Sequence, residues 1–143
     1  MAASLGAAIK AYLETKGLGL AFYKDAPPQS TKMPYGTIVE DIGLRMDKLE
    51  SGGPANGAEA TGKELVQLDL WQNWLKADGT VAEDPLLADK ITRAIHGTRL
   101  NTSGTGIPPM RVYAVLQEGR VRMLDRDGKT VHHAYTLAVY RTI

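Results

Sequence analysis

Apolar positions recur along this chain at two spacings, and the switches between them predict its elements. Leu5, Ala8, Ile9, Tyr12 and Leu13 fall at i, i+3, i+4, i+7 and i+8, one face of a helix at 3.6 residues per turn. Ser4 suits the N-cap, and Lys16 and Gly17 suit the C-terminal end, one as a cation and one as a left-handed residue. The run LGLAFY (18–23) reads as a short first strand. KDAPPQSTKMPYG (24–36) is a stiff ramp, in which Pro27 and Pro28 hold the chain extended. Pro34 cannot donate a ladder hydrogen bond, so it belongs at a strand start or on an edge, and a strand follows from Tyr35 to about Ile42.

Residues 44–62, LRMDKLESGGPANGAEATG, lose all periodicity. Glycines and a proline among small and charged residues predict a long arm, flexible in the free protein. Period two returns in KELVQLDLWQNW (63–74), with Val66, Leu68 and Leu70 on one face and Gln67, Asp69 and Trp71 on the other. After an ADGT turn, EDPLLADKITRAIHG (83–97) reads as the clearest helix. Asp84 caps it, Pro85 takes its first position, and Leu87, Ile91, Ala94 and Ile95 form its buried stripe. Arg93 and His96 suit its last turn as cations, and Gly97 ends it.

Residues 111–142 predict a hairpin around a two-residue turn at Asp127-Gly128. Pairing outward sets Leu124 opposite Val131, Arg122 opposite His133 and Leu116 opposite Val139, with Gly119 as a candidate bulge. The fold class that follows is α+β: a mainly antiparallel sheet, two helices packed on one face, and a long flexible arm between strands. At 143 residues, one domain spanning 1–143 is the expectation.

Composition narrows the chemistry. No cysteine is present, which excludes disulfides, thiolate nucleophiles and Cys-rich zinc sites. The first ten residues lack the charged region of a secretory signal, and no apolar run approaches the ~20 residues that span a bilayer. The expectation is synthesis in the host cytoplasm, with no membrane partner. Residues 1–98 hold ten Lys/Arg against thirteen Asp/Glu, a balance of −3, while residues 99–143 hold seven against three, a balance of +4. Unlike halves suit head-to-tail association of copies, although chance composition gives the same picture.

Catalytic constellations are not evident. His132 and His133 are neighbours on a strand and point to opposite faces, so they cannot share a metal. The serines sit in caps and loops, and the GTGIPP stretch lacks the lysine of a phosphate-binding loop. The sequence points away from an enzyme, with no catalytic residue, metal or cofactor assigned. Arg120, Arg122 and Arg126 crowd the last hairpin with Arg111 and Lys129; the ribbon suits nucleic-acid phosphates or simply a solvated face. Of Trp71 and Trp74, one is assigned to the core and the other is left as a docking anchor.

The whole pattern resembles the tail-terminator and tail-completion proteins of long-tailed bacteriophages. The resemblance is carried by the N-terminal amphipathic helix, by APPQSTKMPYG, by LVQLDLWQNW leading into DPLLADKITRAIHGTRL, and by the closing LDRDGKTVHHAYTLAVYRT. It implies a virion structural protein of the tail or neck, not an enzyme. Copies form a ring, of six by family analogy, at the head-proximal end of the tail tube, halting tube polymerisation and joining the tail to the head. Its partners are further copies, the tail tube protein and the head-connector or stopper protein, with DNA only as passing cargo. Pro27, Pro28, Pro34, Tyr35, Arg45, Met46, Lys48, Leu49 and Trp74 are then candidate subunit or tube contacts. Arg120, Arg122 and Arg126 become candidates for the lumen or for charge pairing between subunits. Another neck protein, a stopper or head-tail adaptor, is the alternative, followed by a small nucleic-acid-binding protein.

Overall fold

Alternating strands and two amphipathic helices assemble as an α+β fold in the computed structural model, which describes residues 5–47, 61–100 and 112–142. The elements are α1 (Leu5–Glu14), β1 (Phe22–Lys24), β2 (Tyr35–Asp47), β3 (Thr61–Asn73), α2 (Leu87–Ile95), β4 (Val112–Leu124) and β5 (Thr130–Thr142). They build one five-stranded sheet in the order β1-β2-β3-β5-β4. The β1–β2 pair is parallel and the other ladders are antiparallel.

Helices of 10 and 9 residues are too short to persist alone in water. What holds them is one apolar cluster. Leu5, Ile9 and Leu13 of α1 and Leu87, Ile91 and Ile95 of α2 meet Ile38, Val66, Leu68, Leu70, Tyr135 and Leu137 of the sheet. Val66 lies opposite Leu137 and Leu68 opposite both Ile38 and Tyr135, so these side chains share one face. Each fully buried aliphatic or aromatic side chain contributes about 1.5–3 kcal/mol. Tyr12 then ties the helices together, its hydroxyl donating to the Ala94 carbonyl at 2.7 Å and lying 2.6 Å from Thr98 Oγ1.

Several expectations need correction. β2 runs past Ile42 to Asp47, and β3 begins at Thr61, so both ends of the expected arm are ladder. Pairing such as Leu44–Glu64 and Met46–Gly62 satisfies the backbone, and a ladder of this kind needs no apolar alternation to form. Residues 48–60 lie outside the described residues. β1 is shorter than LGLAFY, because Gly17 and Gly19 take positive φ and turn the chain first. β2 does not open on an edge, since β1 covers Gly36–Ile38.

Asp84 caps a turn ahead of α2, accepting from the Leu86 N–H at 2.9 Å, and the helix starts two residues after Pro85 at Leu87. His96 is no helix-end cation. Its Nδ1 accepts from the Gln117 N–H at 2.9 Å, a donor on the side of β4 away from β5, where two residues earlier the Val115 N–H meets the Thr98 carbonyl. The β4 irregularity between Gln117 and Gly119 moves the register: Leu124–Val131 and Arg122–His133 pair as expected, whereas Leu116 faces Ala138 and Val139 faces Val115. The hairpin turn differs too. Gly128 has φ 67° while Asp127 is not in the positive region, so this is not the two-residue mirror-image turn. The Gly128 N–H donates to the Asp125 carbonyl at 3.0 Å, and Asp127 Oδ1 accepts from the N–H groups of Lys129 and Thr130. These bonds and a hydroxyl bond from Thr130 hold the Asp127 carboxyl below its ordinary range.

Candidate assembly surface

The helices leave the second face of the sheet to residues at alternate positions: Tyr35, Thr37, Trp71 and His132 among them. Across four strands they form a row of rings. Tyr23 meets Tyr35 edge-on with centroids 6.1 Å apart, Tyr35 stacks on Trp71 at 6.5 Å, and Trp71 stacks on His132 at 4.4 Å. The Trp71 Nε1–H donates to Thr37 Oγ1 at 3.0 Å, which orients the indole. Burial, and secondarily the charge of Asp125, raises the Tyr35 phenol. Neither tryptophan belongs to the apolar core, contrary to the sequence expectation for one of them. Tyr135 and the aliphatic residues fill that space. Trp71 sits half-buried in the row, and Trp74 is half-buried just past β3, its backbone N–H donating to the Lys129 carbonyl at 2.7 Å.

Beside this row lies Asp69, 5% exposed, with Oδ1 lacking a hydrogen-bond partner. Its Oδ2 accepts from Gln67 Nε2 at 2.9 Å. Burial raises the carboxyl above its ordinary range, against the opposing pull of Gln67 and His132. A raised carboxyl pKa means that the folded state binds the proton more tightly than the unfolded state. Ionised Asp69 therefore costs stability above the raised value, and stability contributed here grows as pH falls through it. Asp69→Asn is expected to stabilise the protein at neutral pH by up to about 1 kcal/mol and to flatten that segment of the pH profile in urea titrations. A loss of stability at neutral pH would show that the carboxylate charge is needed where it lies.

The predicted contact residues distribute unevenly. Pro27 and Pro28 lie in the β1–β2 connection, where the Thr31 hydroxyl donates to the Pro28 carbonyl at 2.6 Å. Pro34 lines a cleft of about 320 Å³ with Leu18, Met33, Gln72, Ala82 and Leu87. Arg45 and Met46 are β2 positions opposite Lys63 and Gly62; Lys48 and Leu49 fall outside the described residues. Tyr35 is brought to Trp71, and its stacking partner is not Trp74.

The basic ribbon is partly neutralised within the chain. Arg120 Nη1 donates to Asp89 Oδ1 at 2.9 Å, and this bond raises its guanidinium further. Arg122 holds Glu83 with Nη2 at 2.7 Å and Nε at 3.2 Å. His133 Nε2 lies 2.9 Å from Glu83 Oε2, the oxygen that Arg122 Nε also reaches. Arg126 stands apart in the exposed turn. The Arg122 bonds, more than His133, hold the Glu83 carboxyl below its ordinary range despite burial.

Sequence reasoning missed the ring row and the Glu83 clamp. Period two set Asp69 and Trp71 on one face, but the row needs the registers Tyr35–Trp71 and Trp71–His132. Glu83 is 50 residues from His133, and no spacing links them. Among the described residues no group of His, Cys, Asp and Glu is arranged to hold a metal ion, and no helix is long and apolar enough to cross a membrane.

No family model matches the sequence, and no curated protein matches it. The fold has solved counterparts. One, a chain in the virion of a native gene transfer agent particle, superposes with a TM-score of 0.70 at 14% identity, covering 98% of this chain and 96% of that one. At that identity the likeness establishes a shared fold.

Proposed function

We propose that this chain is a virion structural protein that rings the head-proximal end of a tail tube, ends tube polymerisation and joins the tail to the head connector. The observation that carries the reading is the fold likeness to a chain of a gene transfer agent virion over nearly the full length of both chains. The terminator-like order of proline ramp, tryptophan strand, helix and closing hairpin supports the finer assignment. Its partners are further copies in a ring, six by resemblance, then the tail tube protein and the connector or stopper, with DNA as cargo. The protein acts mechanically and not as an enzyme. Pro27, Pro28, Pro34, Tyr35, Arg45, Met46, Lys48, Leu49 and Trp74 are proposed for the subunit and tube surfaces. Arg126, exposed in the turn, is the best placed of the three hairpin arginines for a neighbouring copy or passing DNA. Arg120 and Arg122 are already engaged by Asp89 and Glu83, which weighs against a nucleic-acid-binding regulator.

Electron microscopy of lysates from a phage lacking this gene tests the reading. Overlong, headless tails beside filled heads are expected. Leaking heads with tails of normal length would move the protein to a stopper position, and normal particles would overturn both structural assignments.

A further inference from the structure

The sheet has two unlike sides on which its long strands lack a neighbour. On one, β1 pairs only with Gly36–Ile38, so among the described residues β2 has no second strand partner from Val39 to Asp47. On the other, β4 pairs with β5, and its outer side is used by the chain only as far as Gln117. There Val115 bridges Thr98, and His96 accepts from the Gln117 N–H. From Glu118 to Leu124 that side has no further strand among the described residues. An unpaired edge is a template for another strand unless it is blunted.

The β4 edge interleaves charged residues with exposed apolar ones. Val121, Met123 and Leu124 are 58%, 41% and 48% exposed, three of the five large hydrophobic side chains left exposed among the described residues. The two free edges are similar in length. They also differ in formal charge: Glu40, Asp41 and Asp47 against Arg45 along β2, and Arg120 and Arg122 against Glu118 along β4; of these, Glu40 is already held by Lys24 at 2.9 Å. Because Asp89 and Glu83 already hold both β4 arginines, backbone pairing supplies the attraction and charge adds little.

Direction decides the partner. Across β2-β3-β5-β4 each strand runs opposite to the one before. The β4 of one copy therefore runs opposite to the β2 of a copy placed beside it in the same orientation, and the alternation continues unbroken. We infer that copies join head-to-tail through an antiparallel β4–β2 strand pair, which extends one sheet from subunit to subunit. The inference rests on the ring proposed above. Such a contact is heterologous, so it propagates until it closes.

The chain lacks cysteine, which makes cross-linking clean. Val121 shares the helix-free face with its partner Ala134, opposite Asp69 in the next ladder. Val39, Gly43 and Arg45 are β2 positions paired with Gln67, Leu65 and Lys63. Val121→Cys is combined with Val39→Cys, Gly43→Cys or Arg45→Cys in turn, which scans the register. The variants are supplied to a phage lacking the gene, and the particles are oxidised and run on non-reducing denaturing gels. At least one pair is expected to lose most of its monomer band to a ladder, while single variants stay monomeric. Mixing the two single variants yields only mixed dimers. Capped, normal tails with no ladder from any pair would overturn the strand pairing and leave the terminator reading standing. Dimers of Val121→Cys alone would overturn it in favour of a two-fold contact. Tail length in electron micrographs of the same particles reports on the function separately.

Discussion

Gly36→Ala is expected to destabilise the protein by about 3 kcal/mol, the upper end for overpacking a filled core. A Cβ on Gly36 would lie 2.3 Å from Phe22 Cδ1 and 2.5 Å from Cε1. Phe22 is fully buried and lies directly opposite Gly36 in the parallel β1–β2 pair, so the ring has no free space to turn into. Relief would require β1 to move off the sheet, which breaks the pairing that covers the start of β2. Against a typical total of 5–15 kcal/mol, this loss is large. The check is a denaturant titration of Gly36→Ala, of Phe22→Leu and of the double variant. The smaller side chain makes room for the methyl, so the double variant should be less destabilised than the two single losses added together. Full additivity would mean that the ring and the glycine do not touch.

Glu83→Ala is expected to cost about 2–3 kcal/mol at neutral pH. The carboxylate receives two arginine bonds and sits against His133. Arg122 is part-exposed and recovers water, but His133 is 7% exposed and its Nδ1 already lacks a partner. Removing Glu83 would leave a buried imidazole with no bond at either nitrogen among those described. The pH dependence has a definite sign. Because the folded carboxyl titrates below its ordinary range, its contribution is fully present above the unfolded pKa of roughly 4.3. It disappears as pH falls through the lower folded value. The stability gap between wild type and Glu83→Ala should therefore close in acid. A gap that stays constant down to strongly acidic pH would show that the charge contributes nothing.

Both expectations rest on contacts that no local pattern contains. In the sequence Gly36 is only the second residue of a predicted strand, and only the parallel register with Phe22 gives the glycine its reason. Glu83 is in the sequence only the first residue of the stretch 83–97 read as a helix. Gly119 marks the β4 bulge in the sequence, and the extra residue there shifts the Leu116 pairing; His96 as an acceptor follows instead from where α2 ends beside β4. The arm was misjudged at its ends because composition reports side chains, whereas a ladder is held by backbone groups that every residue except proline carries in full.

Local periodicity was sufficient for both helices, four of the five strands in outline, and the α+β class. A face that must leave water imposes its spacing on the residues that cover it, whatever lies opposite. Strand order, the parallel β1 and the two free edges came only with the tertiary structure. So did the ring row from Tyr23 to His132 and the pairing of Arg120 and Arg122 inside the chain. Each of these is a relation between segments distant along the chain. Its energy depends on register and on which groups are already satisfied, and neither quantity is written in any single stretch of residues.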